Sequence, residues 1–249
     1  MLNGKKIIVV LPVYNAEKTL KTTIDEIPFE IVDDFVVVDD AITDNSMGVA
    51  RNMNIRNLIL HDRNKGYGGN QKTCYDTALK LGADIVIMLH PDYQYTPKLI
   101  PSMVHLLASG LYPVVIGSRI LGKGAIAGGM PKYKYIFNRF LTLFQNLVIN
   151  QKLSEYHSGY RAFTREVLEK INYHANSDGF VFDNQMLCQI FMSGFQIAEI
   201  TCPTKYFPEA SSINFRSSVI YGLGILSTSM KYILHKNRIA RFRIFIEKR

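Results

Sequence analysis

The sequence has no tryptophan, only three cysteines in 249 residues, and no apolar run long enough to cross a bilayer. Cys74, Cys188 and Cys202 are too few and too scattered for a disulfide framework or a cysteine-based zinc site, which leaves them as core residues of a protein kept in a reducing compartment. The stretch 99–118 carries no Asp, Glu, Lys or Arg, but His105, Ser109-Gly110 and Pro113 break it into a helix followed by a strand. The opening MLNGKKIIVVLP meets Pro12 too soon for a secretory signal, so export is not expected. Glycine is missing where a dinucleotide-binding protein needs it. The first strand ends in Pro12-Val13-Tyr14-Asn15, whose backbone cannot approach a pyrophosphate closely, and this excludes a Rossmann dehydrogenase.

What is present suits one globular domain: a 47% apolar share can bury one large core. The net charge of +8 is unevenly placed, because Lys231, Lys236, Arg238, Arg241, Arg243, Lys248 and Arg249 face only Glu247 in the last nineteen residues. Six of the eight surplus charges therefore lie in a local basic tail. That argues against a general polyanion surface, and no motif supports nucleic-acid binding.

Short, mostly β-branched runs at Lys6–Leu11, Phe35–Val38, Leu58–Leu60, Ile85–Leu89 and Val114–Ile116 read as strands buried on both faces. Helical spacing fills the intervals at Ala16–Glu26, Ser46–Met53, Asn70–Leu81 and Pro97–Leu107, the last with Thr96 as N-cap. Further helices are expected over Tyr133–Leu147, after HSGYRAF and from about Asp183, with a strand in GFQIAEITCP. This alternation predicts an α/β fold with a mostly parallel central sheet and helices on both faces, and ligands collected at the carboxyl ends of the strands. Polar clusters sit at five such ends: Pro12 to Asn15, Asp39-Asp40, Arg63 to Gly66, His90-Pro91-Asp92 and Gly117-Ser118-Arg119. Gly66, Gly68 and Gly69 form either a flexible turn before a helix or a phosphate or base contact at its N-terminus. In MLHPDYQYTP an apolar strand runs straight into His90, Asp92 and Gln94. Extended spacing would turn these three to one side, where a single cation could meet several of them.

The motifs VVLPVYNAEKTL, VVVDDAITDNS, MLHPDYQYTP, VIGSR and HSGYRAF, in this order and spacing, resemble family 2 glycosyltransferases of the GT-A fold, above all the dolichol-phosphate mannosyltransferase-like branch that uses polyprenyl phosphate. The similarity spans roughly residues 5–215. The resemblance implies a GT-A catalytic domain over 1–215, with a nucleotide-sugar half to about 119, an acceptor half from 120, and a basic amphipathic segment over 216–249. It implies that Pro12, Tyr14, Asn15, Val38, Asp40, Lys65, His90, Asp92 and Arg119 bind the nucleotide sugar. Asp92 and Gln94, with His90, would hold Mg²⁺ or Mn²⁺. Asp92, Arg119 and Asp183 would be catalytic, and Arg161 and Lys205 would face the acceptor. A cation is needed because the diphosphate leaves with growing negative charge.

Three positions depart from the branch. His90 replaces the first aspartate of the metal motif, so it is a ligand that favours Mn²⁺, a neighbouring contact, or a purely structural histidine. Ala16 stands where the branch has an acid, with Glu17 one position along. KYFPEASSINF replaces a Gly-Glu-Ser-Lys-like run, with Lys205 left to supply part of the charge. Asp183 is a general base if the acceptor is a hydroxyl, and an orienting or capping group if it is a phosphate. Arg161 is either an acceptor-phosphate contact or structural.

The activity these features imply is inverting, metal-dependent transfer of a sugar from a UDP- or GDP-sugar to polyprenyl phosphate. The alternatives are transfer to a saccharide hydroxyl in surface-glycan assembly, and nucleotide-sugar binding without turnover. The expected setting is the cytoplasmic face of a membrane. Apolar residues of 216–249, among them Val219, Leu223, Met230, Ile239, Phe242, Ile244 and Phe245, alternate with basic ones, as in a segment lying on an anionic bilayer or in a helix packed on the domain with a solvated basic end.

Overall fold

Strand β1 (Ile7–Val13) is buried along its whole length and sends alternate side chains to opposite faces, Ile8 and Val10 to one and Ile7, Val9 and Leu11 to the other. In the computed structural model, which describes residues 1–41, 44–206 and 215–248, the order continues as α1 (Leu20–Asp25), β2 (Asp34–Asp39), α2 (Ser46–Asn52), β3 (Leu58–Leu60), α3 (Gly66–Lys80) and β4 (Ile85–Met88). Next come α4 (Ile100–Ala108), β5 (Val114–Ser118), α5 (Gly124–Ala127), α6 (Lys132–Ile149), β6 (Arg161–Thr164), α7 (Arg165–Lys170), α8 (Phe182–Met192), β7 (Ile197–Thr201) and α9 (Phe215–Lys236). The seven strands form one sheet in the order β3-β2-β1-β4-β6-β5-β7. Only β6 runs antiparallel to its neighbours. One face is covered by α3 and α8 through Tyr75, Ala78, Phe182, Met186 and Leu187; the other is covered by α1 and α4 through Leu20, Ile24, Met103 and Val104.

Where elements differ from expectation, long-range contacts mark the difference. Helix α1 begins at Leu20 rather than Ala16; in the turn before it the Ala16 N–H donates to Ser46 Oγ, the Glu17 N–H to Asp44, and the Ala16 carbonyl accepts from Thr19 and Leu20. Helix α3 begins four residues early, at Gly66, because distant groups take its first N–H groups. Asp40 accepts from Lys65 and Gly66, and the Asp178 carbonyl accepts from Gly68. Strand β6, in a run read only as the approach to a helix, is four residues inserted between β4 and β5. Thr96 does cap its turn, accepting from the Lys98 N–H.

The C-terminal segment divides in two. Helix α9 packs on α6 and α8. Beyond it, Phe242, Ile244 and Phe245, which face a bilayer in one of the two readings, instead join the domain core. Phe245 meets Tyr232 edge-on at 5.8 Å, and Gln189 Nε2 donates to the Ile244 carbonyl. Beyond α9, Ile239 and Ile246 remain exposed large aliphatics.

Candidate active site

At the carboxyl ends of β1, β2, β4 and β5 opens a cavity of about 730 Å³. Pro12, Tyr14, Asp40 and Asn70 line it together with His90, Asp92, Gln94, Arg119, His157, Asp183, Tyr206 and Tyr221. Residues 90–94 are not extended. The strand stops at Met88, and the chain turns with Tyr93 at φ +57°. That turn, rather than strand alternation, brings His90, Asp92 and Gln94 to one cavity. The Gln94 N–H donates to Asp92 Oδ1 at 3.1 Å.

Asp40 is 3% exposed, and its carboxylate works inward. It accepts from His61 Nδ1 at 2.8 Å and from the N–H groups of Lys65 and Gly66 at 2.7 and 2.9 Å, placing negative charge at the start of α3. These bonds take up the N–H groups of Lys65 and Gly66, while Gly66 also lines the cavity. A Cβ on Gly68 would stand 2.5 Å from the Ser177 carbonyl oxygen and 2.8 Å from Phe182 Cβ, so that glycine serves close packing. Three residues expected around the nucleotide do not line the cavity: Asn15, Val38 and Lys65. Val38 buries its side chain in the core and offers only its carbonyl, to Asn70 Nδ2 at 3.2 Å; Asn15 and Lys65 are exposed.

His90 is clamped. Its ring stacks on Tyr67 at 5.4 Å with 10° between planes, and Gly159 lies beside its Cδ2 and Nε2 atoms. The Tyr67 hydroxyl donates to Asp183 Oδ2 at 2.6 Å, so the 3.1 Å contact between His90 Nε2 and the Tyr67 hydroxyl oxygen requires a proton on Nε2. Burial lowers the His90 pKa and keeps the ring neutral despite Asp92 and Asp183 nearby. Only Nδ1 then retains a lone pair for a cation. Asp183, in the first turn of α8, also accepts from Gln71 Nε2 at 3.1 Å and makes no capping bond.

Arg119 is held by Glu155, a carboxylate with no exposure. Glu155 accepts from Arg119 Nε at 2.9 Å, from Nη2 and from the backbone N–H, while Nη1 donates to the Tyr206 hydroxyl at 3.0 Å. Burial works to raise the Glu155 pKa, but the Arg119 charge and hydrogen bonds prevail and it falls. Of the two cations expected to face the acceptor, neither lines the cavity. Arg161 is 1% exposed and donates to the carbonyls of Ser158, Asp183 and Tyr156, which makes it a structural clasp holding α8. Lys205 is exposed, with its N–H 3.4 Å from the Gln94 carbonyl. Residues 207–214 of the altered run, and Ile42 and Thr43 of VVVDDAITDNS, lie outside the described residues.

Residues 8–172 match the sequence model of glycosyl transferase family 2. The chain belongs to this family. It is 29% identical to an uncharacterized protein of Methanocaldococcus jannaschii over 94% of both chains. A UDP-N-acetylglucosamine–dolichyl-phosphate N-acetylglucosaminyltransferase of Methanococcus voltae is 26% identical, over 81% of this chain and 86% of that one. Polyprenol monophosphomannose synthase of Mycolicibacterium smegmatis is 23% identical over 79% and 76%. Among solved structures, glucosyl-3-phosphoglycerate synthase of Mycobacterium tuberculosis with UDP superposes with a TM-score of 0.71 at 19% identity, covering 92% of this chain and 80% of that one, which shows the shared GT-A fold.

Several groups of this glycosyltransferase's cavity were not anticipated. Tyr67 sits between two glycines of a run read as a loop, and Glu155 lies two residues before HSGYRAF, where a buried arginine's need for a partner was the available signal. Lys134, on α6, lines the cavity beside Arg119; burial and the Arg119 charge lower its pKa. His157 pairs through Nδ1 with the Tyr221 hydroxyl at 2.9 Å, while its buried Nε2 has no hydrogen-bond partner.

Proposed function

We propose that this glycosyltransferase moves a sugar, with inversion, from a UDP- or GDP-sugar to polyprenyl phosphate. The observation that carries the acceptor is the state of Asp183. Tyr67 and Gln71 already donate to its two oxygens, as suits a carboxylate that orients its neighbours rather than one that collects a proton from an attacking alcohol. A phosphate monoester is largely ionised near neutral pH and attacks without a base. Arg119 and Lys134 put positive charge on the cavity wall for phosphate oxygens. The named relatives from Methanococcus voltae and Mycolicibacterium smegmatis, whose names specify dolichyl phosphate and polyprenol monophosphate, support the same reading.

The donor would occupy the part of the cavity lined by Pro12, Tyr14, Asp40 and Asn70, with its diphosphate toward Asp92 and Arg119. Among the described residues no group of three or more His, Cys, Asp or Glu side chains is placed to hold a metal. One carboxylate, Asp92, with the amide oxygen of Gln94 suits Mg²⁺ or Mn²⁺ bound together with substrate phosphates, and His90 would contribute only through Nδ1. The M. tuberculosis synthase has been solved with Mn²⁺ and UDP, and with Mg²⁺ and UDP. Such a cation neutralises charge on the departing diphosphate. The chain's own part is to fix Asp92 through the 90–94 turn, to hold Arg119 through Glu155, and to keep His90 neutral.

The second reading, transfer to a saccharide hydroxyl, is favoured only by the presence of a carboxylate, Asp183, in the cavity lining. Asp183→Asn separates the two. We expect a loss of less than about tenfold with polyprenyl phosphate, whereas a hydroxyl acceptor would lose about 10²-fold or more. Labelled UDP- and GDP-sugars with Mn²⁺ and a short polyprenyl phosphate should yield a labelled lipid phosphosugar. Label found only on a saccharide acceptor would reject the lipid reading.

A further inference from the structure

Helices α6 and α9 turn bulky apolar side chains outward and bury polar groups alongside Leu141, Ile149, Ile225 and Tyr232. On α6 the inward positions include Asn138, Thr142 and Gln145, and Gln145 Nε2 hydrogen-bonds Ser229 of α9 and Asn184 of α8 at 3.2 Å each. Its outward stripe is Tyr133, Ile136, Phe137, Phe140, Leu143 and Leu147, with Phe140 62% and Leu147 74% exposed. Helix α9 repeats the pattern: Thr228 and Ser229 are buried, while Val219, Ile220, Leu223, Leu226 and Met230 are exposed. The two helices touch where Gly222 lets Phe137 approach, a Cβ there lying 3.4 Å from the ring, so their stripes form one apolar face. Bulky apolar groups outside, with paired polar groups among those inside, depart from the pattern of a helix whose outer face meets water.

We propose that this joint face docks on an anionic lipid bilayer. Two observations select that occupant. Neither helix contains an Asp or Glu, and their ionised side chains are Lys132, Lys134, Arg139, Arg216, Lys231 and Lys236. A second copy meeting the same face would bring like charges together, whereas anionic headgroups attract them. The face is also continuous with the catalytic cavity, since Tyr133, Phe137 and Val219 belong to both. Docked in this way, the cavity opens at headgroup level, where a lipid-linked phosphate enters while its hydrocarbon chain stays in the membrane. Among the described residues no helix is long and apolar enough to cross it, so contact is by the face alone. The inference deepens the polyprenyl-phosphate reading and rests on it for its purpose, though not for its test.

The test is cosedimentation of the full chain with vesicles of phosphatidylglycerol and phosphatidylcholine that contain no polyprenyl phosphate. The wild-type protein should bind them, and bind pure phosphatidylcholine at least about tenfold more weakly. The double variant Phe140→Ser, Leu223→Ser, whose positions lie outside the cavity lining, should lose at least about tenfold in vesicle affinity with its melting temperature unchanged. Leu111→Ser, an equally exposed apolar site elsewhere, should bind as the wild type does. Absence of wild-type binding, equal binding by the double variant, or a solution dimer that these two substitutions dissociate would each overturn the proposal. If the double variant loses vesicles while no form uses a short, dispersed polyprenyl phosphate, docking stands and the acceptor assignment falls.

Discussion

Gly159 lies beside the His90 imidazole, so close that a Cβ on it would stand 2.7 Å from both Cδ2 and Nε2. The ring is also stacked on Tyr67, whose hydroxyl would stand 3.3 Å from the same Cβ. Gly159→Ala must therefore displace His90 or the 157–160 backbone, and with it the bond from Nε2 to Tyr67. Overpacking of this kind costs about 1–3 kcal/mol. Urea denaturation should record that loss, and sugar transfer should fall with it; an unchanged midpoint and rate would mean the clamp yields freely.

Arg119 and Glu155 differ in exposure, and their substitutions should differ accordingly. Side-chain exposure is 12% for Arg119 and none for Glu155. Arg119→Met leaves a fully buried carboxylate with Asn138 Nδ2, at 2.7 Å, as its remaining side-chain donor. Breaking a buried pair from that side costs about 3–5 kcal/mol. Glu155→Met instead leaves a guanidinium that can turn into the solvent of the cavity, so it should be the milder change. Chemical denaturation of both variants tests the order, which the reverse ranking would refute.

Burial lowers the His157 pKa from 6.5 to about 4, against the opposing pull of Glu155. The unfolded chain therefore takes up this proton first as pH falls. The resulting stability is present above about pH 6.5 and is lost between there and about pH 4, at up to roughly 1.4 kcal/mol per pH unit. His157→Asn should flatten that part of the stability profile. A profile equally steep in both proteins would assign the acid sensitivity to other groups.

Strand and helix periodicity made the sheet legible because its central strands are buried on both faces, and it placed the polar clusters at their ends. What it concealed was every element whose beginning is set by a distant partner. Helix α3 starts where Asp40 and Asp178 accept its amides, and no local pattern announces that. The sequence leaves Arg161 open between an acceptor-phosphate contact and a structural one, because its partners are backbone carbonyls that no sequence motif announces. The outward apolar stripe of α6 was legible as a helix but not as a surface, since periodicity alone does not say which side faces the core.

The site around Asp92 has the composition of half a cation site. Asp92 and Gln94 supply one carboxylate and one amide oxygen, and His90 Nε2 is committed to Tyr67. A hard divalent ion held by so few protein ligands takes the rest of its shell from water and phosphate. Mn²⁺ affinity should therefore depend on the nucleotide. Followed by the electron paramagnetic resonance of free Mn²⁺, the ion should bind at least about tenfold more tightly with UDP or GDP present than without, a difference of about 1.4 kcal/mol. Asp92→Asn should abolish the nucleotide-dependent part, because an amide oxygen lacks the charge that offsets dehydration of the ion. His90→Gln should preserve most of it if the imidazole only supports Tyr67 and Asp183. Tight Mn²⁺ binding without nucleotide, unaffected by Asp92→Asn, would place the cation elsewhere and separate this carboxylate from the leaving diphosphate.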